Sequence, residues 1–580
     1  MKRILSIFLV LSAVVAAFLA FSDPVLFRDG KSSYVIALCD GASESEVTAA
    51  KELQNYLMEI GDVSLPIVAA DELEAGQKHI FVGFNDSYAA EFGVERPDDE
   101  DETYVYRAVD DDIWIYGGKQ RGTIYGVYSF LENEFGVRWY TTDFTKVPKM
   151  DKWSFKDLYH TESPYINYRL ILYRNMLDNV ECSARNKCNM GEGAKNNEYG
   201  GQTGYWAVHT FNHFVNSDKY FAEHPEYFSL RDGKRTPNTQ LCLSNPDVLR
   251  LCVEGMKEVM ATRPDYWGYS LSQNDNQFPC QCDKCRMIEY MYGGHSGLLL
   301  WFVNQVADAV REKYPDKFVG TLAYQYTRKP PVGIVPRNNV VIRLCSFECC
   351  FAHALEDCES NKSFLEDMQA WSKIAPHLSI WDYVVNFNQY VAPFPNFGVL
   401  AKNIKTFGKY NVISILEQGQ YQTLGGEFSE MRSWVLSKLL WNPELDTMAL
   451  VREFITDYYG AAAPYIQRYF DLCQSLVTED TVMGIYINAF HPIYTDEFIA
   501  EAKALLEQAK AAVAQTDEKM RLRIDLVGLQ IDWLRMVRTP KESLEDGTSQ
   551  RLFDLVRKNN IRMTEWHSIE QTIKMYDVKQ

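Results

Sequence analysis

Apolar residues recur along the chain in two rhythms, and the change between them divides it into regions. In the first, short apolar runs alternate with amphipathic stretches. YVIALC, Tyr34 to Cys39, reads as a strand; Ser43 or Ser45 then caps a helix running through AAKELQNYLMEIG, and LPIV and HIFVGF follow as short strands. YVYRAVDDDIWIYGG predicts a hairpin turning at Asp110, Asp111 and Asp112. In GTIYGVYSFLENEFGVRWY, Ile124, Val127, Phe130 and Leu131 fall at helical spacing and Gly136 supplies the stop. Pro148 and the polar run KMDKWS close the region, so a small α/β domain is expected over residues 23–158.

Over residues 159–475 each short apolar run ends in polar or aromatic residues, and a helical stretch follows. The strand candidates are YRLILYRN, AVHTFNHF, YWGYSLSQND, FVGTLAYQYT, NVVIRLCSFE, LSIWDYV and NVISILEQG, separated by helices such as LLLWFVNQVADAVREKY. Strand and helix alternating in this way predict a (β/α)8 TIM-like barrel with its polar strand ends gathered on one face. The missing strand is expected between Cys182 and Tyr205, in a Gly- and Asn-rich loop over the cleft. Residues 476–580 are expected to form a C-terminal helical domain, since EAKALLEQAKAAVAQ and MRLRIDLVGLQIDWLRMV carry apolar residues three and four apart.

The N-terminus, MKRILSIFLVLSAVVAAFLAFSDP, places Lys2 and Arg3 before an apolar run, with small residues at Ala20 and Ser22. Residues 1–22 are therefore expected to be a signal peptide and the protein periplasmic or secreted, retention as an uncleaved anchor being the alternative. No later stretch is apolar enough to span a bilayer, so no stable membrane insertion is expected after signal removal. A net charge of −19 argues against nucleic acid and anionic membrane as partners, because phosphate binding needs clustered Lys and Arg. The 35 Tyr, 31 Phe and 12 Trp exceed what a core needs and suit a carbohydrate cleft.

In a barrel of this kind chemistry gathers at the carboxyl ends of the strands. Those ends offer Glu417, Asp275 and Asp382 as candidate catalytic carboxylates. Arg169, His209, His213, Asn274, Tyr324, Arg343, Trp381 and Asn386 are the candidate sugar-binding groups. Glycoside hydrolysis needs such a set: one carboxyl protonates the leaving oxygen, and a second acts as base or nucleophile, or orients a substrate group that does. Glu417 directly follows apolar residues, where an idle carboxylate is costly to bury; an internal ion pair is its alternative. Asp275, in SQNDN, is equally a turn residue. His209 and His213 are spaced like a helical zinc pair, but AVHTFNHF reads as a strand, which favours hydroxyl contacts over metal. No Gly-rich phosphate loop, GxSxG elbow or HExxH helix occurs.

Thirteen cysteines are an odd number for an exported chain. Cys280, Cys282 and Cys285 supply three thiolates, one short of a closed zinc shell, with Cys242, Cys188 or a histidine as the fourth. A disulfide within the cluster is the alternative. No cofactor is required for the chemistry; a structural zinc would brace the loop carrying Asp275.

GGKQRGTIYGVYSFLENEFGVRWY resembles the non-catalytic N-terminal domain of family-67 α-glucuronidases and of β-hexosaminidases, and HPEYFSLRDGKRTPNTQLCLSNP is similar to the α-glucuronidase group. SLSQNDNQFPCQCDKC, LAYQYTRKPPVGI, IWDYVVNFNQYVAPFPN, ILEQGQY and LLWNPELD together resemble domain-of-unknown-function family 4838, related to glycoside hydrolase family 163. The resemblance implies a secreted or periplasmic barrel hydrolase. Where the α-glucuronidases carry an acid glutamate after a middle strand, this chain has Asn274 and Asp275, and the later Asp and Glu fall on Asp382 and Glu417. The expected function is an exported glycoside hydrolase acting on complex glycans, containing N-acetylglucosamine or a uronic acid, by carboxylate acid/base catalysis. A non-catalytic glycan-binding protein and a zinc-dependent hydrolase are the alternatives.

Overall fold

The computed structural model describes residues 23–86, 89–90, 93–191 and 197–576, so the expected signal peptide lies outside the described residues. The chain forms two compact units. One comprises the residues up to Trp139 with Thr145–Pro164 and Asn196–Gly201; the other comprises Tyr140–Phe144, Tyr165–Lys195 and Gln202 onwards.

The first unit holds a six-stranded sheet in the order Tyr159–Glu162, Tyr104–Val109, Asp112–Gly117, His79–Val82, Val35–Leu38, Ile67–Ala69. Ser43 starts the helix Glu44–Gly61: its hydroxyl accepts from the Glu46 N–H while the Glu46 carboxylate accepts from the Ser43 N–H. The expected hairpin forms with Asp110 at φ 52°, and the helix Gly122–Phe135 stops at Gly136, φ 74°. The unit runs on to Pro164, past the expected boundary at 158, because Tyr159–Glu162 pairs antiparallel with Tyr104–Val109 as the edge strand.

The second unit is built on seven parallel strands: β1 (Tyr168–Leu172), β2 (Gly204–Trp206), β3 (Tyr266–Ser270), β4 (Phe318–Ala323), β5 (Val340–Cys345), β6 (Leu378–Tyr383) and β7 (Val412–Gln418). Their order is β1-β7-β6-β5-β4-β3-β2. Tyr168 and Leu170 of β1, Tyr205 of β2, Trp267 of β3, Phe318 of β4, Val341 of β5 and Ile413 of β7 share one apolar cluster with Met190. Residues from both edges of a sheet meet only if it curls, and the Tyr168 and Trp267 rings stack at 4.3 Å across that concave face. The convex face, with Ile171, Tyr269, Ile342, Ile380 and Ile415, joins the larger core made with the helices; Trp267 and Ile413 fall at register slips near the strand starts, and alternation holds from there on.

Three expectations are corrected. The strand assigned to AVHTFNHF is Gly204–Trp206, three residues earlier than its predicted start; Ala207 and His209 both adopt φ 55°, which breaks the extended chain, and His213 falls in the short helix Phe211–Phe214. Among the described residues of the stretch expected to hold the missing strand, no strand forms ahead of β2, and an isolated parallel bridge pairs Met190 with Thr203. There Thr203 donates to the Asn189 carbonyl and Gly191 to the Thr203 carbonyl, both at 3.0 Å. The Asn189 side chain meanwhile accepts from the Arg169 N–H and donates to the Asn167 carbonyl. The C-terminal helices, including Asp496–Ala511, Glu518–Arg538 and Thr548–Lys558, do not stand apart: Leu505, Trp533 and Val556 belong to the same core as the sheet.

Two glycines on neighbouring strands make room for the Tyr205 ring. A Cβ at Gly320 would overlap its hydroxyl, and one at Gly268 would lie 2.8 Å from its ring. Gly320→Ala should therefore cost about 1–3 kcal/mol, the usual range for overpacking, read as a drop in Tm. Gly320→Ala combined with Tyr205→Ala should cost less than the two singles summed; strict additivity would show that this contact is not what the glycine serves.

Candidate functional site

At the strand ends of the second unit, Asp275 lies in the loop after β3 with its side chain 60% exposed. Tyr324, the first residue after β4, donates its hydroxyl to Asp275 Oδ1 at 3.4 Å and accepts from Gln325 Nε2 at 2.9 Å. His209 Nε2 is 4.0 Å from the same carboxylate oxygen. The other ring nitrogen, Nδ1, lies 2.7 Å from the Gln273 carbonyl. A carbonyl only accepts, so Nδ1 carries a proton and Nε2 is the ring nitrogen turned toward Asp275. Burial, and then the Asp275 charge, push the Tyr324 phenol up.

Aromatic rings continue from this point across the strand ends. Tyr324 meets Phe347 at 5.6 Å, Phe347 meets Tyr486 at 5.7 Å, Tyr486 meets Phe387 at 6.0 Å, and Phe387 meets Trp566 at 6.5 Å. Tyr486 and Trp566 are 40% and 59% exposed, and a cavity of about 690 Å³ opens beside Phe347, Glu348, Tyr486 and Phe490. At the far end of the belt stands Glu565. Tyr390 and Tyr421, from the loops after β6 and β7, donate their hydroxyls to its carboxyl, and its own N–H donates to the Phe387 carbonyl. Burial pushes the Glu565 carboxyl up to about 7. Sequence reading missed this residue, which lies in a region read as packing helices and in no motif.

Asp382 and Glu417 sit elsewhere. They are register partners on β6 and β7 and leave the sheet on one face. Their neighbours Trp381 and Gln418 occupy the other face, where Trp381 Nε1 donates to Gln418 Oε1 at 2.6 Å. That face is the concave one: Ser379, two residues before Trp381, accepts from Arg343 Nε at 3.1 Å, and the Arg343 guanidinium lies 3.6 Å from the Tyr205 ring centre. By alternation Asp382 and Glu417 face the helical layer. Both are buried; Ser346 donates to Asp382, and Glu417 Oε2 has no partner among the described residues. Burial pushes Asp382 up to about 6, and burial followed by the Asp382 charge pushes Glu417 well above the usual carboxylate range. The three expected carboxylates thus form a pair on the convex face and a separate residue at the mouth.

The expected sugar-binding residues divide in the same way. His209, Tyr324 and Trp381 lie at or beneath the mouth. Asn274 ties loops together, accepting from Asn212 N–H and donating to the Thr239 carbonyl. Asn386 donates to the Ile487 carbonyl, and the exposed His213 packs edge-on against Trp206 at 4.9 Å. Arg169 is fully buried and donates to the carbonyls of Ile166, Asn167 and Lys187; Arg343 is buried inside the sheet. Of the cysteines, Cys280, Cys282 and Cys285 are joined by Cys242, and none of the thirteen is in a disulfide.

No helix among the described residues is long and apolar enough to cross a membrane. No curated protein matches the sequence. Among solved structures, a family GH115 4-O-methyl-α-glucuronidase with specificity for decorated arabinogalactans is similar over 93% of this chain and 77% of that one, with TM-score 0.57 and 10% identity. A Flavobacterium johnsoniae chitobiase of family GH20 covers 96% and 97% at TM-score 0.47 and 11% identity, too weak a likeness to weigh. The first likeness establishes a fold shared with a glycoside hydrolase. Residues 139–471, more than half of the sequence, match the model of the domain of unknown function DUF4838, and the chain belongs to that family.

Proposed function

We propose that the protein is an exported glycoside hydrolase that cleaves complex glycans, containing N-acetylglucosamine or a uronic acid, at the mouth of its parallel sheet. One observation carries this reading: a belt of rings crosses the strand ends from the exposed carboxylate Asp275 to the buried carboxyl Glu565. Rings bind sugar faces, and a buried carboxyl with a raised pKa suits the acid role of glycoside hydrolysis. Support for export comes from the apolar N-terminal sequence, and the bridge at Met190 and Thr203 supports reading the sheet as an eight-stave barrel with one rudimentary stave.

In this reading Glu565 is the general acid. Its raised pKa keeps a proton near neutral pH, and it gives that proton to the glycosidic oxygen as the bond to the anomeric carbon breaks. Asp275, flanked by His209 Nε2 and the Tyr324 hydroxyl, stands at the other end of the belt and holds the glycan there. Asp382 and Glu417 stay in the core as a buried pair whose carboxyls burial pushes up.

Three outcomes follow. On a glycan that wild type cleaves, Asp275→Asn should lower kcat/KM by about 10-fold or more, the scale of a lost hydrogen bond to a charged group, while Glu417→Gln stays within a few-fold. The opposite pattern would return the chemistry to the convex pair, and binding across a glycan panel without product would favour the non-catalytic alternative. Wild-type kcat/KM should fall as pH rises through about 7, because Glu565 must be protonated to act, and Glu565→Gln should abolish that limb. A pH profile unchanged by Glu565→Gln removes the assignment.

The convex pair makes the third outcome a matter of stability. Unfolded carboxyls ionise near about 4, whereas folded Asp382 holds its proton to about 6 and Glu417 to higher pH. From pH 4 upward the unfolded state therefore binds fewer protons than the folded state, so the pair loses stability as pH rises. Glu417→Gln should raise Tm relative to wild type at pH 8 and leave it unchanged at pH 4. A Tm difference independent of pH would show that the pair does not titrate in the core.

A further inference from the structure

We propose that Cys242, Cys280, Cys282 and Cys285 hold one zinc ion as a closed tetrathiolate site. The four sulfur atoms lie within 4.8 Å of one another, and Cys242 Sγ is 3.7 Å from Cys282 Sγ and 3.9 Å from Cys285 Sγ. A disulfide would bring a pair to about 2.05 Å. Four sulfurs placed about 2.3 Å from a central zinc stand about 3.8 Å apart along each tetrahedral edge. The observed separations match the second figure and exclude the first for these pairs.

The surroundings suit thiolates. The Leu230 N–H donates to Cys280 Sγ at 3.3 Å, and the Arg235 guanidinium reaches the same sulfur at 3.6 Å. Ser244 Oγ lies 3.6 Å from Cys242 and Cys282 and 3.2 Å from Cys285. Cys282 is the N-cap of the helix Asp283–Tyr292, where the helix dipole favours negative charge. Zinc binding replaces the four thiol protons, which leave to solvent, and the resulting site of net charge −2 meets Arg235 and the helix end. Cys242, Cys280 and Cys285 are buried, so four sulfurs fill the shell and no position stays open for substrate. The site is structural.

Its place in the fold shows what it braces. Cys280 and Cys282 come from the loop after β3, Cys285 from the first turn of the helix Asp283–Tyr292, and Cys242 from the segment before the helix Pro246–Thr262. The Gln281 N–H donates to the Leu230 carbonyl at 2.9 Å beside the cluster, so the metal would close the loop bearing Asp275 onto the hairpin of Leu230–Arg231 and Lys234–Arg235. Any consequence for turnover rests on the role given to Asp275; the metal site itself does not.

The test uses the full chain purified without chelator, with metal content measured by plasma mass spectrometry and thiols counted in native and denatured protein. Cys350, His353 and Cys358 form a second group of three donors, so the difference between wild type and variant is the informative number. Cys282, the partly exposed ligand, is the substitution best tolerated. Wild type should carry one zinc more than Cys282→Ser, and cobalt added to metal-stripped wild type should give the strong visible bands of a tetrahedral thiolate site. If the variant does not fold, cobalt titration of wild type decides alone. No zinc difference together with absent cobalt bands, iron in place of zinc, or mass-spectrometric disulfides among the four cysteines each overturns the proposal.

Discussion

In a buried parallel sheet a side chain has two destinations, and consecutive residues take opposite ones. That constraint sorts the chemistry of this protein. On β6 and β7 the sequence offers Trp381-Asp382 and Glu417-Gln418, and a shift of one residue would exchange the aromatic and amide with the two carboxyls. The register that pairs Asp382 with Glu417 also aligns Trp381 and Gln418 with the concave face. Everything said of the mouth, and everything said of the convex pair, depends on that alternation.

The same constraint explains what could be read from sequence and what could not. Strand positions were legible because buried parallel strands are near-continuous apolar runs bounded by polar ends, and NVVIRLC and VISILEQ are such runs. Facing was not legible for the same reason: with both faces apolar, no hydrophobic alternation distinguishes Arg343 from Ile342 or Glu417 from Leu416. Strand β2 escaped because Gly204–Trp206 is only 3 residues long, while the more apolar AVHTFNHF beside it carries two left-handed residues that composition does not announce. The fourth cysteine stayed one of several options, since proximity of Cys242 to the triplet is a tertiary fact. Glu565 was invisible because its partners, Tyr390 and Tyr421, come from loops far away in the chain.

Inside the curl, Arg343 is a buried cation with no carboxylate beside it among the described residues. Burial lowers its pKa, and Nη2 finds no hydrogen-bond partner among the described residues. What it has instead is the Tyr205 ring at 3.6 Å and, more distantly, Trp381 at 5.9 Å. Cation–π attraction strengthens when the pair is desolvated, so the ring takes over part of the work of a counter-ion. That substitution needs space, which Gly268 and Gly320 provide. A chain of contact thus runs from the two glycines through Tyr205 and Arg343 to Trp381 and Gln418, and the floor of the mouth inherits the rigidity of the interior.

The walls of the mouth are held differently, through the backbones of loops. Gln240 Nε2 donates to the carbonyls of Asn274 and Asn276, both at 2.7 Å, and its Oε1 accepts from the Asn274 N–H. One side chain therefore clamps the backbone on both sides of Asp275 without engaging the carboxylate itself. On the opposite wall the Tyr390 N–H donates to the Met563 carbonyl and the Glu565 N–H to the Phe387 carbonyl, so a segment near the end of the chain is sewn to the loop after β6. Both acidic groups thus project from backbone whose position is fixed by hydrogen bonds that the side chains do not make. Such an arrangement permits a carboxyl to change protonation state, or to meet a substrate, without moving its own support. It also makes the C-terminal helices part of the site: the wall carrying Glu565 exists only while those helices stay packed in the core they share with the sheet.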